Sequence, residues 1–465
     1  MGKILSYYIM PHPPIIIPEI GRGEDEKIKK TKNSLNEIAM EIKDLKPKTI
    51  IIITPHGPIF RDAIAITNMP TIRGNFAKFG VQDVELNFDI DTFLTQSILE
   101  YANNFNVSTV LIDDKAIKRY KIEKGLDHGS MVPLYFVTKH YNDFKLVHIT
   151  YGMLSKINLY KFGMAIEEAV RNMDYDAVVI ASGDLSHKLT DDGPYGYNKY
   201  GPEFDNKIIK LIENMDIEGI FTMDNKLISE AGECGLRSFY ILFGCLDKLK
   251  AKATFLSYEC PFGVGYSVFE IHRIKEMESR LPKIEEAIKA NKNTMVYSDA
   301  YLRLAKESLE YYIKNGRYIN IPDYVPNEML LKKNGVFVSI KKNGQLRGCI
   351  GTIFPVTENV AIEIIRNAVE AGINDPRFYP ITEEELDELQ YSVDVLMAPE
   401  KATKDMLNPK KYGVIVRKGF RTGLLLPDLD GVDTVDKQLE IALSKANISP
   451  MEDYTIERFE VIRHR

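Results

Sequence analysis

Short, continuous apolar runs alternate with longer stretches of helical periodicity along the first part of the chain. Residues 3–9 form one such run, stopped by Pro11-His12-Pro13-Pro14. Thr49-Ile50-Ile51-Ile52-Ile53 is a β-branched run of the kind covered on both faces of a sheet. Further strand-like runs fall at 62–67, 109–112, 145–150 and 177–181. Between them, Glu24 to Leu45 carries Ile28, Leu35, Ile38, Ile42 and Leu45 at helical spacing, and helical stretches recur near 92–105, 157–172 and 203–213. This alternation predicts an α/β sheet domain. A long helix is expected from about Leu227 to Leu249, followed by closing strands at 252–258 and 266–272.

From Ile274 to Asn293 the pattern turns to Glu, Lys, Arg and Ala at helical spacing, with Pro282 inside it. A second, smaller α+β domain is expected beyond it. It has a helix at about 298–314, a strand at Val336–Ile340, and a turn at Lys342-Asn343-Gly344 that gives a hairpin into Leu346–Gly351. A helix over about 357–371, strands near 389–397, 413–417 and 422–426, and a last helix from 434 to 446 complete it. The expected organisation is therefore a domain over 1–273, a charged helical linker over 274–294 and a domain over 295–465.

Composition narrows the class. A chain of 465 residues has room for two or three domains, and 45% hydrophobic residues suffice for buried cores. A net charge of −6 argues against a nucleic-acid binder. No run reaches the roughly 20 apolar residues of a membrane helix, and the N-terminus lacks the pattern of a signal peptide. Four scattered cysteines make no disulfide framework, so a reducing cytoplasm is the expected setting.

The chemistry gathers where apolar runs end. Pro11-His12-Pro13, Thr54-Pro55-His56-Gly57, Ser182-Gly183-Asp184-Leu185-Ser186-His187 and Gly232-Glu233-Cys234-Gly235 share that placement. In open α/β sheets, ligand sites form at the carboxyl ends of the strands. Two histidines with one anionic ligand suit ferrous iron or zinc and leave coordination positions open. His12, His56 and a member of the Glu233-Cys234 pair match that arrangement in type. His187 is the natural acid/base partner, because imidazole titrates near neutral pH. Asp184, three residues before it, can orient its ring. His128, in Leu126-Asp127-His128-Gly129, is placed to donate a hydrogen bond to a bound anion. His140, His148, His272 and His464 read as surface or packed residues. Gly263-Val264-Gly265-Tyr266 lacks the rest of a dinucleotide loop, and Asp428–Asp433 misplaces the glycine of a calcium loop.

These ordered motifs, from His12 through Pro-His-Gly at 55–57, Asp-His-Gly at 127–129 and Ser-Gly-Asp-Leu-Ser-His at 182–187 to Ala-Gly-Glu-Cys-Gly at 231–235, carry a family resemblance. Residues 1–273 resemble the class III extradiol ring-cleavage dioxygenases (LigB-like) and their relatives, the Memo-like proteins. In those enzymes two histidines and a glutamate hold non-haem Fe(II), a catechol chelates the iron, and a histidine base takes the substrate's proton. The resemblance implies His12 and His56 as metal ligands, His187 as the base and His128 as the donor to substrate. The family's glutamate falls on Cys234 by ungapped matching, with Glu233 its neighbour. Memo-like proteins are similar to this chain in having cysteine-glycine there and in the spacing of Asp184 and His187. A thiolate favours zinc or copper over iron.

Leu346-Arg347-Gly348-Cys349-Ile350-Gly351-Thr352, Asn374-Asp375-Pro376-Arg377-Phe378 and Gly423-Leu424-Leu425-Leu426-Pro427 resemble the AMMECR-type domain over residues 295–465. Arg347 beside Cys349 is a candidate pair for lowering a thiol pKa, against a packed strand as the plainer reading. Relatives of the two domains occur alongside a radical-SAM protein, which implies such a partner. The first functional expectation is Fe(II)-dependent oxidation of a small phenolic or chelating substrate. The alternative is a Memo-like non-oxygenase that binds iron or copper, or acts in redox chemistry, with the radical-SAM partner.

Overall fold

The computed structural model describes residues 1–342, 344–429 and 431–465, with the backbone alone at 292–297 and 387. Asn343 of the expected turn and Asp430 of the rejected calcium-loop pattern lie outside the described residues. The chain divides into two compact units, Met1–Lys289 and Ala290–Arg465.

The first unit is built on one mixed sheet. Its strands are β1 (Ile4–Met10), β2 (Thr49–Thr54), β3 (Ile64–Thr67), β6 (Thr109–Ile112), β7 (Lys145–Thr150), β8 (Ala177–Ser182), β9 (Leu249–Glu259) and β10 (Tyr266–Glu276), with β4 (Thr71–Phe76) and β5 (Val81–Asp89) forming a separate hairpin. The order is β6-β3-β7-β2-β8-β1-β10-β9. The central strands β7, β2, β8 and β1 run parallel, and β10 and β9 close the sheet antiparallel.

The isoleucine run explains the layering. All of β2 is buried. Ile50 and Ile52 face a core that includes Ile38 and Ile42 of the helix Lys29–Leu45, while Ile51 and Ile53 face Phe162 and Phe243 on the other side. Side chains alternate across a strand, so a continuous apolar run is stable only between two covering layers. Each isoleucine buried in this way contributes about 1.5–3 kcal/mol relative to exposure.

One expected element is different. In place of a single helix from Leu227 to Leu249, two helices form, Asn225–Ala231 and Leu236–Gly244, and Leu249 already belongs to β9. Gly232, at φ +65°, ends the first in the left-handed conformation that a glycine tolerates without strain. Glu233 and Cys234 therefore stand in a connection between helices. The hairpin β4–β5 and the helices Asp114–Tyr120 and His128–Thr138 were also not evident from periodicity. The charged residues after β10 become helical at Leu281, in a helix Leu281–Ser298 with Pro282 in its first turn. Among the described residues, no helix is long and apolar enough to cross a membrane.

The second unit holds two four-stranded sheets. β11 (Val336–Lys342), β12 (Gln345–Gly351), β13 (Leu389–Leu396) and β18 (Val461–His464) form one, in the order β12-β11-β13-β18. β14 (Glu400–Ala402), β15 (Gly413–Lys418), β16 (Arg421–Leu425) and β17 (Thr455–Phe459) form the other, in the order β14-β17-β15-β16. The helices Ala300–Asn315 and Val360–Ile373 cover the first sheet through Leu302, Leu309, Ile364 and Ala368. The helix Val435–Ala446 covers the second through Leu439 and Leu443.

Candidate metal centre

Three neighbouring parallel strands, β2, β8 and β1, end on the same side of the sheet. His12 lies two residues past β1, His56 two past β2, and Ser182 is the last residue of β8. The prolines Pro11 and Pro55 turn the chain out of the sheet at these points. His12 Nε2 and His56 Nε2 come within 3.0 Å of each other. Cys234 Sγ lies 3.6 Å from His12 Nε2, and these three ligand atoms fall within 4.8 Å of one another.

The loops that bring Cys234 there are packed backbone to backbone. A Cβ on Gly183 would fall 2.1 Å from Gly235 Cα, so the 182–187 and 232–235 segments approach this closely only because both positions are glycine. Asp184 completes the join. Its amide donates to Cys234 Sγ at 3.4 Å, and its Oδ1 accepts the His12 amide at 2.9 Å.

The tautomer of His12 follows from its neighbours. Ser182 Oγ donates to the Gly129 carbonyl at 2.5 Å and lies 2.9 Å from His12 Nδ1. A hydroxyl has one hydrogen, so His12 Nδ1 is the donor to Ser182 and Nε2 carries a lone pair aimed at His56 and Cys234. Burial, and after it His56 and His128, hold His12 well below the usual imidazole pKa. His56 opens on a cleft, yet packing about its ring and the His128 imidazole bring it to about 4. Both rings are thus neutral at physiological pH. Burial and then the Asp184 carboxylate push the Cys234 thiol well above its usual value, so a bound cation must displace its proton. This donor set of two neutral imidazoles and a sulfur fits a metal ion.

Glu233 stands apart from that set. Its Oε2 accepts the Leu236 amide at 2.6 Å, at the start of the helix Leu236–Gly244. Burial pushes its carboxyl up to about 7. Asp184 is likewise raised to about 7 by burial. Asp184, His187 and Cys234 form a second group of ligand atoms within 4.8 Å of one another. Burial and then His56 bring His187 to about 4, and its buried Nε2 has no hydrogen-bond partner among the described residues. Its ring lies against Tyr195.

His128 occupies the first turn of the helix His128–Thr138. Its ring stacks on His56 with centroids 4.1 Å apart and meets Phe79 edge-on. A cleft of about 1000 Å³ opens beside these two rings, walled by Phe60, Phe79, Tyr120 and Leu126.

Several contributing residues were missed by sequence reasoning. Asp127 caps the helix of His128 through the Ser130 amide and also accepts from Thr54 Oγ1 at 2.5 Å. His148, expected to be a packed or surface residue, is 2% exposed and lies 3.1 Å from Asp127 Oδ2, with Nδ1 2.9 Å from Thr67 Oγ1. Asp205 holds the Ser186 amide at 2.8 Å and accepts from Tyr258 at 2.7 Å, bracing the loop of His187. Ser182 stood in a quoted motif, so its place could have been noticed; Asp205 and His148 carried no local signal.

In the second unit, Arg347 is not a partner of the Cys349 thiol. Its guanidinium binds Glu385 at 2.9 Å, and the thiol instead accepts from Ser339 Oγ at 3.1 Å. The carboxylate geometry prevails because the planar guanidinium is matched by two oxygens of Glu385. Asp375 pairs with Arg377 at 2.7 Å and accepts the Cys349 amide at 2.8 Å.

With this geometry, the chain can be placed among known proteins. Residues 6–269 match the family of the catalytic LigB subunit of aromatic ring-opening dioxygenases, and the chain belongs to that family; residues 302–464 match the AMMECR1 family. The protein CA_C1420 of Clostridium acetobutylicum is 50% identical to this chain over 99% of both chains. A Thermotoga maritima protein is 46% identical over 37% of this chain and its own full length. Among solved structures, an uncharacterized protein PH0010 from Pyrococcus horikoshii is similar at 32% identity over 35% of this chain and 88% of its own, with a TM-score of 0.33.

Proposed function

We propose that the first unit is a Memo-like metal-binding redox protein whose ion is held by His12, His56 and Cys234. The observation that carries this reading is the direction of the side chains around the ion's place. The fixed lone pair of His12 Nε2 faces Cys234 Sγ at 3.6 Å, while the Glu233 carboxylate is engaged by the Leu236 amide. A sulfur in place of the family's carboxylate selects softer ions, copper or zinc, and tunes iron differently. When bound, the ion supplies Lewis acidity and, if it is iron or copper, a one-electron redox couple. Around it, His187 is the group that holds or moves a proton, and Asp184 ties the His12 backbone to the cysteine loop. The radical-SAM partner implied by the resemblance belongs to this reading.

A second reading, oxidation of a small phenolic or chelating substrate with Fe(II), draws its support from the cleft beside His56 and His128, where Phe60, Phe79 and Tyr120 stand among charged side chains such as Arg73, Lys78 and Lys124. The two are separated by anaerobic purification, elemental analysis and X-ray absorption at the metal edge. A sulfur neighbour is expected. Iron with nitrogen and oxygen neighbours only, together with oxygen consumption on catechols, would overturn the first reading in favour of the second.

A further inference from the structure

We propose that the cleft beside His56 and His128 binds a small molecule that carries a phosphate group on an aromatic or heteroaromatic body. This names the ligand of the cleft on which the Fe(II) reading draws, and it rests on that cleft without requiring the metal. The cleft is about 1000 Å³, at the upper end of the range for small-molecule sites. That is more room than a single phenolic ring fills.

The first observation is its charge. Arg73, Lys78, Lys121 and Lys124 line the cleft, against two exposed carboxylates, Glu85 and Glu123. Asp127 also lines it, but its carboxylate is taken up by Thr54, the Ser130 amide and His148. The whole chain has 60 basic and 66 acidic residues, so its composition does not account for a basic cleft. Lys78 pairs with Glu123 at 2.6 Å and Lys124 with Asp114 at 3.1 Å, all four side chains largely exposed. Such pairs hold weakly in water and open to a stronger anion. Arg73 and Lys121 are in no ion pair among the described residues. Four cations against two carboxylates are balanced by a dianion, and a phosphate monoester carries about that charge at neutral pH. A single carboxylate does not balance them.

The second observation is that these cations stand on walls packed backbone to backbone. The Leu126 amide donates to the Arg73 carbonyl at 3.0 Å. Gly125, at φ +134°, lies so close that a Cβ on it would fall 2.9 Å from the same oxygen. Lys78 sits in the turn Ala77–Phe79 between β4 and β5, and the Phe79 ring meets His128 edge-on at 5.5 Å. Burial lowers the His128 pKa and the Lys78 ammonium adds to it, so an anion placed between the two meets both. The third observation is the aromatic surface. Phe60 and Tyr120 meet edge to face with centroids 5.1 Å apart, and rings of this kind receive a planar body by stacking.

The test is titration calorimetry on the full chain at low salt, with phenyl phosphate, adenosine monophosphate, benzoate, benzyl alcohol and adenosine. One of the two phosphates is expected to bind about tenfold or more tighter than its uncharged counterpart and than benzoate. Which of them binds tells an aryl phosphate from a nucleotide. Arg73→Gln/Lys78→Gln is expected to weaken that binding by about tenfold or more, Lys121→Gln to weaken it in the same direction, and Lys78→Arg to keep it. Circular dichroism checks that each variant is folded. The proposal is overturned if the uncharged molecules or benzoate bind as tightly as the phosphates, or if no phosphate binds. It is also overturned if the folded double variant binds phosphate like wild type, which would place the anion on the metal instead. Elemental analysis of the same samples reads the metal separately. Phosphate binding that persists after chelator treatment leaves this proposal standing without the metal reading, and a metal-loaded chain that binds no phosphate does the reverse.

Discussion

Ser182 Oγ accepts the His12 Nδ1 proton at 2.9 Å and gives its own to the Gly129 carbonyl at 2.5 Å. This chain of donation connects β8 to the start of the helix His128–Thr138 and leaves Nε2 of His12 as a lone pair. Ligating histidines are commonly fixed in this way through their second nitrogen. Ser182→Ala is expected to weaken metal binding by about 10–100-fold, measured by competition with a chelator of known affinity. An unchanged affinity would show that packing alone orients the ring.

The neighbours Glu233 and Cys234 should separate cleanly. Cys234→Ala is expected to lose the sulfur scatterer and most of the bound metal. Glu233→Gln keeps an oxygen for the Leu236 amide and is expected to leave metal content as it was. The reverse order, with Glu233→Gln losing the ion, would return the site to the carboxylate pattern of the ring-opening enzymes.

His187 has a different expected signature. His187→Gln should retain the ion while losing any turnover, because its Nε2 has no partner to replace. Parallel measurements of metal content and activity decide this, and loss of the ion would make His187 a ligand.

Asp205 predicts a pH effect with a definite sign. Its carboxyl is 1% exposed, and burial raises it to about 7, against which the Tyr258 and Ser186 hydrogen bonds work only in part. The folded chain therefore holds a proton that the unfolded chain releases at about pH 4. Between about pH 4 and 7 the unfolded state binds fewer protons, so stability falls as pH rises through that window. Asp205→Asn should remove that part of the slope, a relative gain on the order of 2–4 kcal/mol by pH 7. Urea unfolding of both proteins at pH 4.5 and 7 tests it, and parallel slopes would refute it.

His148 is expected to matter through Asp127. Burial alone would raise the Asp127 carboxyl, but His148 and Thr54 reverse this and hold it well below the usual range. His148→Leu leaves that charge buried with its chief partner gone, which costs about 3–5 kcal/mol. Denaturant unfolding reads this directly. A loss under about 1 kcal/mol would mean that Thr54 and the Ser130 amide suffice.

Much of the fold was legible because period and composition are local. The run Thr49–Ile53 has one stable environment, between two layers, and it became the fully buried β2. The strand ends carrying His12 and His56 followed from the prolines that stop each run. The hairpin β4–β5 was missed although exposed Arg73, Asn75, Asp83 and Glu85 alternate with inward Ile72, Phe76, Val84 and Leu86, because Gly74 and the few apolar residues per strand leave the alternation short.

The sequence by itself determined which segments become strands, where the histidines leave them, and that a thiol and a carboxyl compete for one position. Only the tertiary structure sets the Cys234 thiol beside His12 and the Glu233 carboxyl on the Leu236 amide. Adjacent side chains on one turn point in different directions, and which of them faces the histidines depends on the contact of Gly183 with Gly235, 52 residues apart in the chain. The same holds for Ser182, Asp127 and His148, whose partners lie 21 to 170 residues away. Hydrogen bonds over such separations form only when the sheet brings strand ends together, and no periodicity along the chain records them.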